Sequence, residues 1–418
     1  MCAPKPVDIS RLRKGVTMKL YNKITPEGTR DLLFEECAAR RLAESRLKQV
    51  FVSHGYQEAV TPGIEFYDVF EPARSGIPQE IMMKMSDQKG RLMVLRPDTT
   101  TPIARLAATR LQNMERPMRF YYNQPIYRSN PGLTGRSNET VESGVELLGV
   151  GGKRADVEAI AMAAEAMESC LPCFRMEIGH AGFFRALAAE LPISEEEREE
   201  IRSTIESKNY AALNTILEKL PDSPAVRAMA KLPRLFGGKE VFEEAFALCS
   251  SPEAVETLRY LQELYESLSG LGLGSRMMVD LGLVQRNDYY TGVVFSAYVE
   301  EWGDAVLLGG RYDNLLARFD SPMPAVGFSV IVDAVAQAMM KRGQGAEVKK
   351  PDVLIFAEEG MELAGIQYAQ RLSKEEGLIC ENALCDTLEE AKVLAGKKGI
   401  ARVDIVGKTE IVKGGECQ

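Results

Sequence analysis

Apolar positions recur at helical spacing between Leu32 and Val50, inside a stretch that is otherwise charged, and this pattern predicts the first long helix. The stretch runs on to His54-Gly55, where a glycine can end a helix. We predict a helix over residues 31–50. The preceding residues, 1–24, carry basic side chains and few large apolar ones, which is typical of an N-terminal arm rather than of a core element.

Short stretches in which apolar and polar residues alternate follow this helix, and they indicate strands of a mostly antiparallel sheet. We predict strands over residues 57–61, 84–86, 91–95, 118–122, 141–148 and 175–178. Helical spacing returns over 101–111 and 155–168, so two helices are expected to pack against the sheet.

From residue 182 to residue 268 almost the whole chain has helical spacing, and Ser194 with Glu197 has the spacing of a capping box. Further strands are predicted over 277–281, 293–299 and 305–308, followed by an apolar helix over 327–340. The pattern therefore predicts an α+β core of residues 25–340, whose antiparallel sheet is interrupted by a helical insertion at about 182–270.

Glycine and lysine residues between 341 and 350 predict a linker. Beyond it, strand and helix patterns alternate over 352–357, 363–376, 378–380, 387–397 and 402–406. Residues 351–418 are therefore predicted to form a small C-terminal α/β domain.

Composition places the chain among globular proteins and limits its partners. The 418 residues, 45% of them hydrophobic, are enough for two or three domains with cores of their own. Lys plus Arg number 51 against 60 Asp plus Glu, so a long stretch of nucleic acid is not an expected ligand. The cysteines are scattered, and no signal peptide or apolar run long enough for a bilayer is visible, so we expect a cytoplasmic protein without a membrane segment.

Signatures of common catalytic and metal sites are missing from the sequence. No phosphate-binding loop, dinucleotide-binding glycine motif or nucleophile elbow is present. The two histidines, His54 and His180, lie apart from any zinc-type motif, and Cys170 and Cys173 have no second cysteine pair. We therefore expect no metal and no cofactor, and we favour ordinary thiols over a redox dithiol.

Three segments are richer in unusual polar residues than a core or a solvated face requires. Residues 95–102 place a carboxylate and hydroxyls at the start of a helix, 127–136 place arginines in a loop before the carboxylates of 142–146, and 288–292 with 309–313 contain three tyrosines. Each segment also has a purely structural interpretation, with Thr99 or Thr100 as a helix cap and the other two as solvated loops with tyrosines at a sheet edge. Their combination favours a binding site.

The chain resembles histidyl-tRNA synthetase, a class II aminoacyl-tRNA synthetase, at six motifs in the same order: Pro-Glu-Gly-Thr-Arg-Asp at 26–31, Arg-Pro-Asp at 96–98, Tyr-Arg at 127–128, Asp-Tyr-Tyr at 288–290, Gly-Gly-Arg-Tyr-Asp at 309–313 and Pro-Ala-Val-Gly-Phe at 324–328. The resemblance covers residues from about 25 to 340. It implies a class II synthetase-like fold and a homodimer that pairs through the helix at 31–50 and the strand after it. The C-terminal domain resembles a truncated anticodon-binding domain.

The resemblance also implies a pocket for free histidine. Asp98 takes the place of a glutamate that holds the amino group of histidine in the synthetase, while carboxyl groups and tyrosines hold the ring. Glu142 stands where the family has glutamine. The residues implied to bind histidine are Asp98, Thr100, Arg128, Glu142, Glu146, Tyr289, Tyr290 and Tyr312.

Three departures from the synthetase motifs remove groups that handle ATP. Residues 331–334 read Ile-Val-Asp-Ala instead of Gly-Leu-Glu-Arg, Gln285 replaces an arginine, and 128–130 read Arg-Ser-Asn instead of Arg-His-Glu. Arg286 is a poor substitute because neighbouring residues of a strand point to opposite faces. Loss of one transition-state donor typically costs about a hundredfold or more in rate, so we expect no useful adenylation.

The combination of a kept amino-acid site and a dismantled ATP site is similar to the regulatory subunits of ATP phosphoribosyltransferase, a family of synthetase paralogues. This similarity implies a non-catalytic protein that partners a short catalytic subunit at the first step of histidine biosynthesis and senses histidine for feedback inhibition. Arg-Pro-Asp at 96–98 and Thr291-Gly292 are the variants that indicate it. Two alternatives stay open: a divergent active histidyl-tRNA synthetase, and a scaffold or nucleic-acid-binding paralogue that senses nothing.

Overall fold

The computed structural model describes residues 21–71, 77–130, 137–249, 251–283 and 290–414. Most of the predicted N-terminal arm, residues 1–20, lies outside these ranges. Contacts between residues divide the chain into two compact units, with the boundary between Gly345 and Ala346. Within the described ranges, no helix is long and apolar enough to cross a membrane.

The first unit alternates helices and strands along the chain. Its α-helices are α1 Phe34–Ser53, α2 Thr100–Arg110, α3 Lys153–Cys170, α4 Ala181–Ala189, α5 Glu195–Glu206, α6 Tyr210–Leu217, α7 Pro224–Lys231, α8 Glu240–Leu248, α9 Pro252–Gly270 and α10 Val332–Lys341. Its strands are β1 Gln57–Glu58, β2 Ile64–Phe66, β3 Lys84–Ser86, β4 Leu92–Leu95, β5 Met118–Tyr127, β6 Glu139–Leu148, β7 Arg175–His180, β8 Phe236–Gly237, β9 Met277–Asp280, β10 Val293–Tyr298, β11 Leu307–Arg311 and β12 Ala325–Ile331.

Nine strands of the first unit form one sheet, in the order β1-β5-β6-β12-β11-β10-β7-β9-β8, and β2, β4 and β3 form a smaller sheet. Neighbours in the large sheet are antiparallel except β1 with β5 and β7 with β9, which are parallel. A mostly antiparallel sheet packed by helices confirms the predicted α+β fold class.

The two faces of the large sheet have different surroundings because successive residues of a strand point to opposite faces. One face packs against α1, α3 and α10 and contributes Val145, Phe295 and Phe328 to the largest apolar cluster. The opposite face bears Tyr122 and Val294, which belong to a smaller cluster that includes apolar residues of α2. We call this second face the site face.

The predicted helix over 327–340 is wrong in its first part. Ala325–Ile331 forms β12, a central strand of the large sheet, and α10 begins only at Val332. A strand buried on both faces is an almost unbroken apolar run, so it lacks the alternation that distinguishes a strand from a buried helix.

Several other boundaries differ from the prediction. Strand β5 continues to Tyr127 instead of ending at 122, β11 spans Leu307–Arg311 instead of 305–308, β1 is shorter, α1 starts three residues later, and β2 and β8 were not predicted. Glycines caused the error in β11 because they are usual in turns. A Cβ at Gly309 would lie 2.5 Å from the ring of Phe295, so glycine is present there to let a neighbouring ring pack against the strand.

Helices α4 to α9 and the short strand β8 lie between β7 and β9 in the chain. The predicted capping box is confirmed at the start of α5. The Ser194 hydroxyl accepts a hydrogen bond from the Glu197 amide at 3.2 Å, and the Glu197 carboxylate accepts one from the Ser194 amide at 2.8 Å.

The second unit is a small α/β domain with strands β13 Val353–Ala357, β14 Cys380–Asn382, β15 Arg402–Val406 and β16 Ile411–Val412, and helices α11 Glu362–Glu375 and α12 Leu388–Lys398. Its sheet has the order β14-β13-β15-β16, and β13 is parallel to both β14 and β15. The fully buried Asp404 is held by Arg402 and by the Tyr368 hydroxyl, which donates to it at 2.8 Å.

Candidate functional site

Two glutamates on β6 lie at the centre of the site face. Glu142 and Glu146 are two strand periods apart, so both side chains point to the same face. Glu146 pairs with Gly327 of β12, and a Cβ at Gly327 would overlap the Glu146 carboxylate. Gly310 of β11 lies next in the same row, under the ring of Tyr290. Glycines on two strands therefore make room for polar and aromatic side chains that lie across the sheet.

Glu146 is the best-connected carboxylate of the site. It is 1% exposed, its Oε1 accepts a hydrogen bond from the Thr100 hydroxyl at 2.6 Å, and its Oε2 accepts one from the Tyr312 hydroxyl. Burial raises its pKa to about 8, and the neighbouring carboxylates Asp98 and Glu142 also raise it, although the two hydroxyl donors act in the opposite direction.

Asp98 caps the helix that follows it. Its Oδ2 accepts hydrogen bonds from the Thr101 amide at 2.8 Å and the Thr101 hydroxyl at 2.7 Å. The structural interpretation in which Thr99 or Thr100 caps α2 is therefore wrong: Thr99 holds the cap position without a side-chain hydrogen bond, and the Thr100 hydroxyl faces Glu146. The second oxygen of Asp98, Oδ1, receives no hydrogen bond from the described residues.

Glu142 is almost as buried as Glu146 but has far fewer partners. It is 7% exposed, and the Nη2 atom of Arg128 lies 3.9 Å from its Oε1. The Nε atom of Arg128 donates instead to the Pro97 carbonyl at 2.7 Å. Burial raises the pKa of Glu142 to about 7, and the charge of Arg128 lowers it less than burial raises it.

Two residues of this neighbourhood were not among those implied to bind histidine. Arg96 is 2% exposed and donates to the carbonyls of Thr61, Pro62 and Pro125 at 2.6–3.1 Å, so it fastens the segment before α2 to the end of β5. Its motif neighbour Asp98 was recognised, but nothing local indicates that Arg96 faces backbone carbonyls.

Tyr122 was also missed. It is fully buried, and a Cβ at Gly144 would lie 2.7 Å from its hydroxyl oxygen. Burial raises the pKa of Tyr122, and Glu146, Glu142 and Asp98 raise it further, so the phenol stays neutral among the carboxylates. The sequence signal that could have indicated Tyr122 is the alternation of side chains along β5, which places Tyr122 directly opposite Gly144 of β6.

The tyrosine segment is anchored to β11 by its backbone. The Thr291 amide donates to the Arg311 carbonyl at 2.7 Å, and the Asp313 amide donates to the Thr291 hydroxyl at 2.9 Å. Arg311 itself is held by the fully buried Asp156 of α3, which also accepts a hydrogen bond from Tyr260 of α9. This buried network fixes the strand that leads into Tyr312.

The structure therefore brings together most of the residues implied to bind histidine. Asp98, Thr100, Arg128, Glu142, Glu146, Tyr290 and Tyr312 meet around Tyr122 on the site face. Tyr289 lies outside the described residues, as do Gln285, Arg286 and Arg136. We call Asp98, Glu142 and Glu146 the carboxylate triad.

The positions that resemble the ATP site carry no arginine at the start of α10. Ala334 occupies the expected arginine position and is fully buried in the apolar cluster behind the sheet. Asp333 accepts a hydrogen bond from the Val141 amide at 2.9 Å and pairs with Arg40 of α1 at 2.5 Å. Ile331 lies directly opposite Glu142. All three residues therefore serve packing or fold stability.

Metal ligands are not assembled in the part of the chain that the structure describes, where no group of three or more His, Cys, Asp or Glu side chains could hold an ion. Cys170 is buried and Cys173 is exposed, and both are free thiols. His180 accepts a hydrogen bond from the Gly182 amide at 3.1 Å, and burial lowers its pKa to about 4.

Comparison with known proteins places this arrangement in context. A family model described as histidyl-tRNA synthetase matches residues 28–335. An ATP phosphoribosyltransferase regulatory subunit of Clostridium kluyveri is 37% identical over 387 residues, which cover 92% of this chain and 99% of that relative. One of Bacillus cereus is 40% identical over 390 residues, which cover 92% of each chain.

Solved structures agree with the sequence relatives. An ATP phosphoribosyltransferase regulatory subunit/histidyl-tRNA synthetase from Bacillus halodurans superposes with a TM-score of 0.82 at 29% identity, covering 94% of this chain and 100% of that one. A histidyl-tRNA synthetase from Nostoc sp. superposes with a TM-score of 0.74 at 19% identity, covering 94% and 97%, which shows the shared fold alone.

Proposed function

Because the chain belongs to the family of ATP phosphoribosyltransferase regulatory subunits, which have the histidyl-tRNA synthetase fold, we propose that it binds free histidine at the carboxylate triad and reports the bound state to a catalytic phosphoribosyltransferase subunit. The proposed output is feedback inhibition of the first step of histidine biosynthesis. The chain is a regulatory subunit, so its role is to bind a ligand and a partner rather than to catalyse a reaction.

The observation that carries this proposal is the charge of the triad. Asp98, Glu142 and Glu146 are each less than 9% exposed, and they lie close enough for Asp98 to raise the pKa of both glutamates. Buried carboxylates that face each other are unfavourable unless they take up protons or a cation joins them. An amino acid with an ammonium group and a protonatable ring supplies positive charge at both ends of such a site.

The donors and acceptors also fit histidine. The free Oδ1 of Asp98 can accept a hydrogen bond from the ligand ammonium while Oδ2 keeps its cap on α2. Tyr290 and Tyr312, which are 7% and 2% exposed, provide aromatic walls. Charge-assisted hydrogen bonds are worth roughly 1.5–3 kcal/mol each, so two or three of them are compatible with a Kd between about 1 μM and 1 mM.

Adenylation is not supported by the same residues. The arginine that would hold ATP phosphate is replaced by the buried Ala334, and Arg96 is engaged with backbone carbonyls. Only Arg128 remains as a cation beside the triad in the described residues, and its Nε is bound to the Pro97 carbonyl. The divergent synthetase is therefore the weaker candidate.

We further propose that two copies pair through α1 and the chain after it. Leu33, Phe34 and Val60 are large apolar residues that are 59%, 68% and 73% exposed in the single chain. Their burial between two copies would remove this apolar surface from water. The free thiols of the described cysteines are compatible with a cytoplasmic location.

Co-purification with the short catalytic subunit, assayed with and without histidine, tests the proposed function. We expect a complex whose phosphoribosyltransferase activity falls as histidine is added. Thermal unfolding of the chain alone tests the sensing half, because a ligand at 100 times its Kd stabilises the folded state by about 2.7 kcal/mol. A melting temperature that stays constant up to millimolar histidine would contradict binding at the triad.

A further inference from the structure

We propose that Glu142 selects the protonated, imidazolium form of the histidine side chain, so that the affinity for histidine is greatest near neutral pH and falls as the pH rises. This inference rests on the proposed function, because it concerns the ligand of the same site. It makes Glu142 a specificity-determining residue rather than one more lining residue.

The first argument is that Glu142 lacks a partner that its burial requires. It is 7% exposed and receives no hydrogen bond from any described residue. Its ion pair with Arg128, at 3.9 Å, is too long for a hydrogen bond. A buried carboxylate without donors is costly. The carboxylate is therefore positioned for a donor that the described residues do not provide.

The second argument concerns the charges that face Glu142. Arg128 follows β5, Arg96 and Asp98 come from the segment before α2, and Glu146 lies on the same strand. Arg96 donates its hydrogen bonds to carbonyl groups rather than to Glu142, although its charge, like that of Arg128, lowers the pKa of Glu142 while Asp98 raises it. The elements on either side add none, because Gln124 of β5 and Ile331 of β12 are directly opposite. Burial, which is the largest cause, and the charge of Asp98 raise the pKa of Glu142 to about 7 against the two arginines.

The third argument is the number of donors on the ring. A neutral imidazole has one N–H donor and one acceptor nitrogen, whereas imidazolium has two N–H donors. Glu142 and Glu146 present two carboxylates on the same face of β6, one acceptor for each N–H. A glutamine at this position would be neutral and could serve a neutral ring. A carboxylate at the same position favours the charged ring.

Proton linkage converts this geometry into a pH profile. Free imidazole of histidine has a pKa of about 6.5, and Glu142 has one of about 7, so the complex holds one proton between two groups of similar pKa. Below both pKa values binding releases a proton, and above both values it takes one up. This shared proton makes the affinity greatest between the two values and about tenfold weaker at pH 8.5, while Glu146, whose pKa is about 8, adds a titration that is common to the wild type and to variants at Glu142.

Isothermal titration calorimetry with histidine at pH 6.8 and pH 8.5 tests the inference on the full chain. Between the two pH values we expect the wild type to lose about tenfold more affinity than Glu142→Gln, a variant that keeps the side-chain size and leaves Glu146 in place. Titrations in two buffers of different ionisation enthalpy should show uptake of about one proton by the wild type at pH 8.5. As a second probe, 1,2,4-triazolylalanine keeps a ring N–H but is not protonated at neutral pH. The wild type should therefore bind it more weakly than histidine, whereas Glu142→Gln should bind the two ligands with similar affinity.

The possible results separate the inference from the proposed function. Parallel pH profiles for the wild type and Glu142→Gln would overturn the role of Glu142 while histidine binding itself stands. No proton uptake by the wild type at pH 8.5 would overturn it as well, even if the variant does not fold. Absence of histidine binding by the wild type at both pH values would instead overturn the proposed function.

Discussion

Replacement of Asp98 by asparagine is the most direct test of the histidine site, because the structure lets charge and capping be separated. Oδ2 of Asp98 caps α2 through Thr101, and Oδ1 is free. In Asp98→Asn the amide oxygen can keep the cap, so the amide nitrogen must take the place of Oδ1. A donor then faces the ligand ammonium where an acceptor stood. Folding should be preserved while the ammonium contact is lost.

The magnitude follows from the bond that is lost. A hydrogen bond between charged groups is worth roughly 1.5–3 kcal/mol, and each 1.4 kcal/mol corresponds to a factor of ten in Kd. We expect histidine affinity to fall by roughly 10-fold to 150-fold, with a free energy of unfolding in the absence of histidine close to that of the wild type. Asp98→Ala is the matched control, because it removes the cap as well and should cost about a further 1 kcal/mol of stability.

Calorimetric titration measures the affinity, and urea unfolding without ligand measures the stability. Histidine binding by Asp98→Asn within twofold of the wild type would refute the assignment of the ammonium to Asp98. A variant that loses most of its stability would refute the claim that the amide can maintain the cap, and the affinity of that variant would then carry no information about charge.

Three further outcomes are expected. Gly327→Ala places a methyl group onto the Glu146 carboxylate, so it should lower stability by about 1–3 kcal/mol and remove the thermal response to histidine. Gly63→Ala, with open space around its Cβ position, should do neither, and equal effects of the two substitutions would contradict the conclusion that Gly327 makes room for Glu146. Burial raises the pKa of Glu146 from 4.5 to about 8, so the contribution of Glu146 to stability is present below pH 4.5 and is lost as the pH rises through 8. Without histidine, the melting temperature of Glu146→Gln should therefore rise relative to that of the wild type between pH 5 and pH 8.5. A difference in melting temperature that stays constant over this range would exclude a buried proton at Glu146. Pyrophosphate exchange with ATP and histidine should stay at background even at high protein concentration, because Ala334 occupies the position of the phosphate-binding arginine; measurable exchange would favour the synthetase alternative.

Strand β12 shows why part of the fold could not be predicted from local patterns. Its residues are buried on both sides, so the apolar run from Ala325 to Val332 has the same texture as the helix that follows it. Only pairing with β6 and β11 separates the strand from the helix. The long surface helices and the capping box at Ser194 were predictable because their signals lie within a few residues of chain.

Arg96 illustrates the corresponding limit at the site. The motif at 96–98 was recognisable, and it indicated a carboxylate for an ammonium group, but the sequence did not show that its arginine binds three backbone carbonyls. Those carbonyls belong to residues that are about 30 positions away in the chain. A contact of this kind exists only once the sheet has formed.

The sequence by itself determined the family, the order of the motifs and the kinds of side chain available at the site, because each motif is a short run whose chemistry is carried by adjacent residues. The tertiary structure decided which of those side chains meet. Strand register places Glu142 and Glu146 on one face with Tyr122, and glycines on the neighbouring strands leave the space they occupy. The raised pKa values of both glutamates also arise from the fold, since burial and neighbouring charges exist only after distant segments pack together.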